Sequence, residues 1–251
     1  MTAYYNEIDE YAADWLRHLI RAGDIAPGEV DTRSIVDVRP TDLAGFDQCH
    51  FFAGIGGWSH SLRLAGWPDD RKCWTASLPC QPYSVGSVAH GGARGQEDPR
   101  HLLPAFVPLV AECRPPIIFG EQVASAIKWG WLDEAFGSLE GLSYACGAAV
   151  LPALAVGARH ERKRIYWVAD ARGEGWPGYQ PIERVPLATG EAFTIDGDAL
   201  AGARRALDGD YSHLLPSDGL SVVLERAALK GYGNAIVPQV AAHFIRAAAD
   251  S

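Results

Sequence analysis

The sequence predicts an α/β fold in which a parallel-rich sheet carries helices on both faces. Three observations support this. Apolar runs of strand length recur at QCHFF, CWTAS, PPIIFG, SYACGAAVL and RIYWVAD. Segments with helical spacing of apolar residues alternate with them, and glycine- or proline-rich turns punctuate the two kinds. The chain has 251 residues and is 48% hydrophobic, enough for one core of ordinary or large size.

Each element follows in order. Over residues 6–22, Ile8, Tyr11, Trp15, Leu16, Leu19 and Ile20 share one helical face, and Gly23 ends the helix. RSIVDV predicts a short strand over 34–38. QCHFF predicts a buried strand, AGIGG a turn and WSHSLRLAG a helix. CWTAS (73–77) predicts a strand that ends at Leu78, Pro79 and Cys80. Residues 81–100 are polar, glycine-rich and without a clear period. A loop of that length within a compact domain is usually functional or disordered. A helix is expected over 101–113, a strand over 115–120, a helix near 124–137 and two strands at SYACGAAVL and RIYWVAD. Residues 171–218 are rich in Gly, Pro and charge and predict a small irregular insert. YGNAIVPQVAAHFIRAAA predicts a loop entering a last helix.

Composition excludes several classes. No run of about 18 apolar residues exists, which argues against a membrane span. The start, MTAYYNEIDEY, lacks a basic segment followed by an apolar one, so no secretory signal is expected. The five cysteines are odd in number, widely spaced and free of any CxxC. That disfavours a disulfide framework and a structural zinc site, implies no metal, and fits a reducing cytoplasm. The net charge of −9 disfavours wholesale coating of nucleic acid but leaves room for a local basic face. ARHERKR (158–164) is the densest such stretch, with Arg159, Arg162, Lys163 and Arg164.

Three motifs could carry chemistry. FAGIGG (52–57) is a strand-to-helix turn that fits either a tight structural corner or close approach of backbone to a ligand. LPCQPYS (78–84) puts Cys80 at the carboxyl end of a predicted strand, and GEQV puts Glu121 at the end of the next. Open α/β sheets bind ligands at that rim. A thiol there can act as a nucleophile if its pKa is lowered or its target polarised; a structural cysteine and a surface glutamate are the alternative. The basic run before RIYWVAD is either a solvated face or a set of planar donors aimed along the rim.

The ordered set FAGIGG, PCQPYS, GEQV, HERKR and GNAIVP resembles the DNA cytosine-5 methyltransferases, whose pattern runs FxGxG, PCQxxS, ENV, QxRxR and GNxxxP. The resemblance covers about residues 49–170 and 231–246. It implies a Rossmann-like sheet dependent on S-adenosylmethionine, in a compact phage or bacterial type of enzyme, as in restriction–modification, acting on double-stranded DNA. Cys80 matches the cysteine that attacks C6 of a flipped cytosine. Glu121 matches the glutamate that contacts N3 and the exocyclic amine, with Gln122 in place of the family's Asn. Arg164 matches the arginine that contacts O2, and Arg162 its partner. The base must leave the stack, which makes the 81–100 loop a lid; Gln81, Ser84, Arg100 and His160, which stands in for the family's Gln, are the expected DNA contacts. The cofactor set is Phe52, which could stack on the adenine, with Ala53, Gly54, Gly56, Gly57, Pro79 and Asn234. Pro79 also offers its carbonyl to the base's amino group.

Two departures from the family pattern stand out. The family has two more strand–helix units between the glycine turn and PCQ, and they carry acids for the ribose and the adenine of the cofactor. Here LRLAGWPDDRKCWTAS is too short for both. The sheet is therefore expected to be partly rearranged or truncated, with residues 1–48, through the N-terminal helix and a 34–38 strand, filling the vacated edge. Asp37, or Asp69 and Asp70, would then serve the cofactor. Secondly, residues 171–218 are short for a target-recognition region, which points to a loosely specified target or help from a protein partner. The catalytic domain is then residues 1–170 with 219–251. Two alternatives remain open: an enzyme on the same scaffold that transfers another group or uses RNA, and a catalytically silent DNA-binding relative.

Overall fold

The computed structural model describes residues 3–79, 101–158, 162–171 and 235–249. Within them a seven-stranded sheet is built from β1 (Ala3–Asn6), β2 (Gly28–Asp31), β3 (Gln48–Phe51), β4 (Cys73–Ala76), β5 (Ile117–Val123), β6 (Ala145–Pro152) and β7 (Lys163–Asp170), in the spatial order β2-β1-β3-β4-β5-β7-β6. The first five are parallel, and β7 runs antiparallel to both β5 and β6. This is the Rossmann-like mixed sheet expected of methyltransferases that use S-adenosylmethionine.

Alternation along each strand sends side chains to two cores. One face gathers Tyr4, Phe51, Trp74, Ile118 and Trp167 beneath α3 (Leu103–Cys113) and α4 (Trp131–Glu140). The other gathers Phe119 and Tyr166 beneath α2 (Gly57–Leu64) and α5 (Pro238–Ala249), and Ala3 and Tyr5 beneath α1 (Glu10–Ala22). Each fully buried Phe, Leu or Ile side chain contributes roughly 1.5–3 kcal/mol.

Two expectations at the N-terminus change. The helix starts at Glu10 rather than residue 6, because the Asp9 carboxylate accepts the Tyr11 and Ala12 N–H groups and caps it. Residues ahead of it form β1, whose four side chains are all buried. Residues 34–38 are not a strand. Ile35–Asp37 is a 3₁₀ turn, in which Ile35 and, farther on, Leu43 drop into the core over α3 while Val36 and Asp37 face solvent. The vacated sheet edge is filled instead by β1 and β2. The two strands expected between the glycine turn and PCQ are therefore present, but ahead of the turn in the chain.

The helix predicted near 124–137 is divided into a 3₁₀ segment, Ala124–Trp129, and α4, with Gly130 at φ 69 between them. The strand predicted over 115–120 extends through Val123, so Glu121 and Gln122 are strand residues. The 81–100 loop and nearly all of the 171–218 insert lie outside the described residues.

Candidate active site at the carboxyl rim of the sheet

The parallel register puts Asp31, Asn6, Phe51, Ala76 and Gly120 in one row across five strands, with neighbouring strands about 4.8 Å apart. The residues that follow this row form the rim: Glu7 after β1, Phe52–Ala53–Gly54 after β3, Ser77–Leu78–Pro79 after β4, and Glu121 in β5. The glycine turn and Glu7 thus occupy one half of the rim, and the approach to Cys80 and Glu121 the other. Cys80 itself lies outside the described residues, as do Gln81, Ser84, Arg100, His160 and Asn234.

In the first half, the turn is bonded directly to the end of β1. Ala53 N–H donates to the Asn6 carbonyl at 3.0 Å, and Gly54 N–H donates to Glu7 Oε2 at 2.7 Å. Glu7 Oε1 accepts the Asp9 N–H at 2.9 Å, which orients the carboxylate. A Cβ added to Gly54 would meet nothing within 4 Å, so the turn opens onto free space beside this acid. Phe52 is half-buried with φ 54, its ring against the α3-side core, and Ala53 is buried. Asp31, at the end of β2, receives the Tyr4 hydroxyl at 2.6 Å and the Arg33 guanidinium at 2.7 Å. Burial pushes the Asp31 carboxyl up, but these hydrogen bonds outweigh it and hold the group below the usual carboxylate range.

Neither Asp37 nor Asp69 or Asp70 fits a place in this half. Asp37 is exposed on the 3₁₀ turn outside the sheet. Asp69 is bound to Arg63 at 2.7 Å in the connection that leads into the start of β4, where Gln48, at the start of β3, donates to the Pro68 carbonyl. That is the amino end of the sheet, opposite the rim. Glu7 and Asp31 are acids at this rim that the sequence analysis did not single out. The signal available was NEID itself, an acid directly after a short apolar run, obscured because residues 6–9 are also compatible with the start of the helix.

In the second half, the segment leading to Cys80 is pinned from two sides. Ser77 N–H donates to the Phe51 carbonyl at 3.2 Å, and Trp58 Nε1 donates to Ser77 Oγ at 2.9 Å. A longer contact, 3.4 Å, runs from Gln122 Nε2 to the Leu78 carbonyl. Pro79 is half-buried at the end of this segment. Glu121 lies opposite Tyr166, and Arg164 lies opposite Val123, so Glu121 and Arg164 are diagonal neighbours on one face of the β5–β7 pair. Arg164 Nε stands 2.7 Å from Glu121 Oε1. The contact is an ion pair without an aligned N–H···O bond, and Oε1 is buried with no hydrogen-bond partner among the described residues.

Burial raises the Glu121 carboxyl to about 7, against the opposing pull of Arg164 and then Arg162. Desolvation therefore wins over two cations. The result is a buried acid, in contact with Arg164, that holds its proton near neutral pH. Arg162 Nη2 donates to the Ala235 carbonyl at 2.8 Å.

The family model described as C-5 cytosine-specific DNA methylase matches residues 67–191, which contain the approach to Cys80, Glu121 and the two arginines. Over that stretch the chain is similar to this methylase family. It is 30% identical over 178 residues to the Type II methyltransferase M.AplI of Arthrospira platensis, a match covering 57% of this chain and 50% of that protein, so the chain spans about half the length of the relative. Among solved structures it is similar to the Entamoeba histolytica methyltransferase EhMeth, at 17% identity over 67% of this chain and 44% of that one, with a TM-score of 0.44. It is also similar to a Spodoptera frugiperda DNMT2 variant, at 17% identity over 73% and 47% of the two chains, with a TM-score of 0.48. The methylase match begins after the glycine turn, in the part of the chain whose order is conventional for the family.

Proposed function

We propose that this protein methylates C5 of cytosine in double-stranded DNA through a covalent bond between Cys80 Sγ and C6 of an extruded base. The observation that carries the reading is Glu121: a buried carboxyl raised to about 7, set 2.7 Å from the Arg164 guanidinium at the rim that β4 approaches on its way to Cys80. The Cys80 thiolate adds to C6, and the ring's electron density moves toward C5 and N3. Protonated Glu121 donates a hydrogen bond to N3 and stabilises that charge, while the Arg164 guanidinium holds O2. Once C5 carries the methyl group, loss of its proton to a base and elimination of Sγ release the methylated cytosine and regenerate the thiolate.

S-adenosylmethionine supplies the methyl group when bound. The residues at the other half of the rim fit it: the open backbone at Gly54 suits close approach of the methionine part, and the Glu7 carboxylate beside it suits the ribose hydroxyls. Phe52, Ala53, Gly56, Gly57, Pro79, Asn234 and the ionised Asp31 complete the set. Gln81, Ser84, Arg100 and His160 would contact DNA, and the 171–218 segment, with or without a partner protein, would choose the target.

Bisulfite sequencing of DNA from cells expressing the chain tests activity and reads the sequence context at once. A duplex carrying 5-fluorocytosine should be trapped on Cys80, because fluorine at C5 cannot leave as a proton does. Absence of both modified cytosine and a trapped adduct refutes the reading.

A further inference from the structure

Residues 235–237 bridge the two halves of the rim. Ile236 sits against the first residue of α2: a Cβ on Gly57 would lie 2.8 Å from Ile236 Cγ1, so only glycine admits this contact. Val237 packs against the apolar cluster that contains Tyr166, and Tyr166 lies directly opposite Glu121. Arg162 fastens the start of the bridge, with Nη2 on the Ala235 carbonyl at 2.8 Å. Its backbone is held at φ 23, in a region that L side chains rarely adopt. A strained backbone retained where the side chain spans 73 positions of sequence indicates that the link is structurally determined. Arg162 also stands two residues before Arg164, the ion-pair partner of Glu121, so its guanidinium adds positive charge at that end of β7.

We propose that Arg162 is a positioning residue rather than a contact to the base. It seats residues 235–237 on the glycine turn and at the same time supplies charge beside Glu121, so that order on the cofactor side and acidity on the base side are set by one group. The catalytic part of this inference rests on the methyltransferase reading; the seating of the C-terminal segment does not.

Three variants separate the two duties. Arg162→Ala removes both, Arg162→Gln keeps a donor for the Ala235 carbonyl but no charge, and Arg162→Lys keeps the charge. Hydrogen exchange in the ligand-free protein should quicken about tenfold over residues 238–249 in the Ala variant, in proportion to one lost charge-assisted hydrogen bond. Exchange in β5 should stay as in the parent, and the Gln variant should retain protection. In single-turnover methylation, the limb on which rate falls as Glu121 deprotonates should move up by about one pH unit in the Ala and Gln variants and stay in place in the Lys variant, since losing a nearby cation favours the protonated acid. Parental exchange at 238–249 in the Ala variant would overturn the seating, and an unmoved limb in both neutral variants would overturn the coupling to Glu121. Should Arg162→Ala not fold, Gln and Lys read the same two quantities. If the parent methylates nothing, the exchange measurement still decides the seating, and only the reading under Proposed function fails.

Discussion

At Glu121, burial lifts the carboxyl to about 7, and the sign of two effects follows. Single-turnover methylation should fall as pH rises through about 7, because the protonated form is the one that donates to N3. Glu121→Gln should remove that limb and lower the rate by about 10²–10⁴; a variant of unchanged rate that only binds DNA more weakly would assign Glu121 elsewhere. Stability declines in the same direction. A folded-state pKa above the unfolded value means the folded chain binds the proton more tightly. The stabilisation is complete below the unfolded pKa and is lost as pH rises through the folded one. Glu121→Gln should therefore melt higher than the parent above pH 7, by up to about 3 kcal/mol. Cys80→Ala should abolish turnover while calorimetric binding of S-adenosylmethionine persists, as expected of a nucleophile that does not hold the cofactor.

Between elements, the β5–β7 pair shows why Glu121 can be held in place. Gly120 lies opposite Trp167, and a Cβ on Gly120 would fall 2.0 Å from the indole ring. The indole thus lies across the strand at the residue just before the acid, and fills the α3-side core there. Gly120→Ala should destabilise the fold by about 1–3 kcal/mol in urea unfolding, the range for overpacked cores. Trp167→Leu in the same chain should recover part of that loss, and strictly additive effects would show that the two side chains do not compete for one space. At the opposite edge, the Glu7 carboxylate joins β1 to the glycine turn. Glu7→Ala should weaken cofactor binding by calorimetry about tenfold or more, corresponding to a lost charge-assisted hydrogen bond; unchanged affinity would remove Glu7 from the site.

For the whole molecule, the order of parts matters less than where their ends lie. The unit formed by residues 3–47 begins and ends at the amino end of the sheet, since β1 starts there and residue 47 leads into β3. The connection from α2 into β4 also lies there, near Asp69. Moving residues 3–47 into that connection would give β3, β1, β2 and β4 in chain order without changing any neighbour in the sheet. Such a rearranged chain should fold, melt cooperatively and bind S-adenosylmethionine as the parent does. Loss of binding in a folded rearrangement would show that the native order itself shapes the site. DNA affinity should fall steeply with salt if Arg159, Lys163 and other basic residues near the rim face phosphate despite the net charge of −9.

The amino-acid sequence alone determined the strand-and-helix alternation from QCHFF onward, and the placing of Glu121 and Arg164 at one rim. Those segments are long or flanked by clear turns, and their motifs occur in a fixed order. It did not reveal β1 and β2. β1 is a four-residue strand buried along its whole length and shows no alternation, and β2 is a short, partly exposed edge strand, so only the parallel pairing of β1 with β3 and of β2 with β1 distinguishes them. It also placed Asp37, or Asp69 and Asp70, beside the glycine turn. Asp37 and Asp69 are close in sequence to the glycine turn, but register and chain direction put them outside the sheet or at its far end, and bring Glu7 to the turn from 47 positions away. Pairing partners and the rim they define are properties of the assembled sheet, because strand neighbours are chosen by burial and hydrogen bonding across the whole chain rather than by proximity along it.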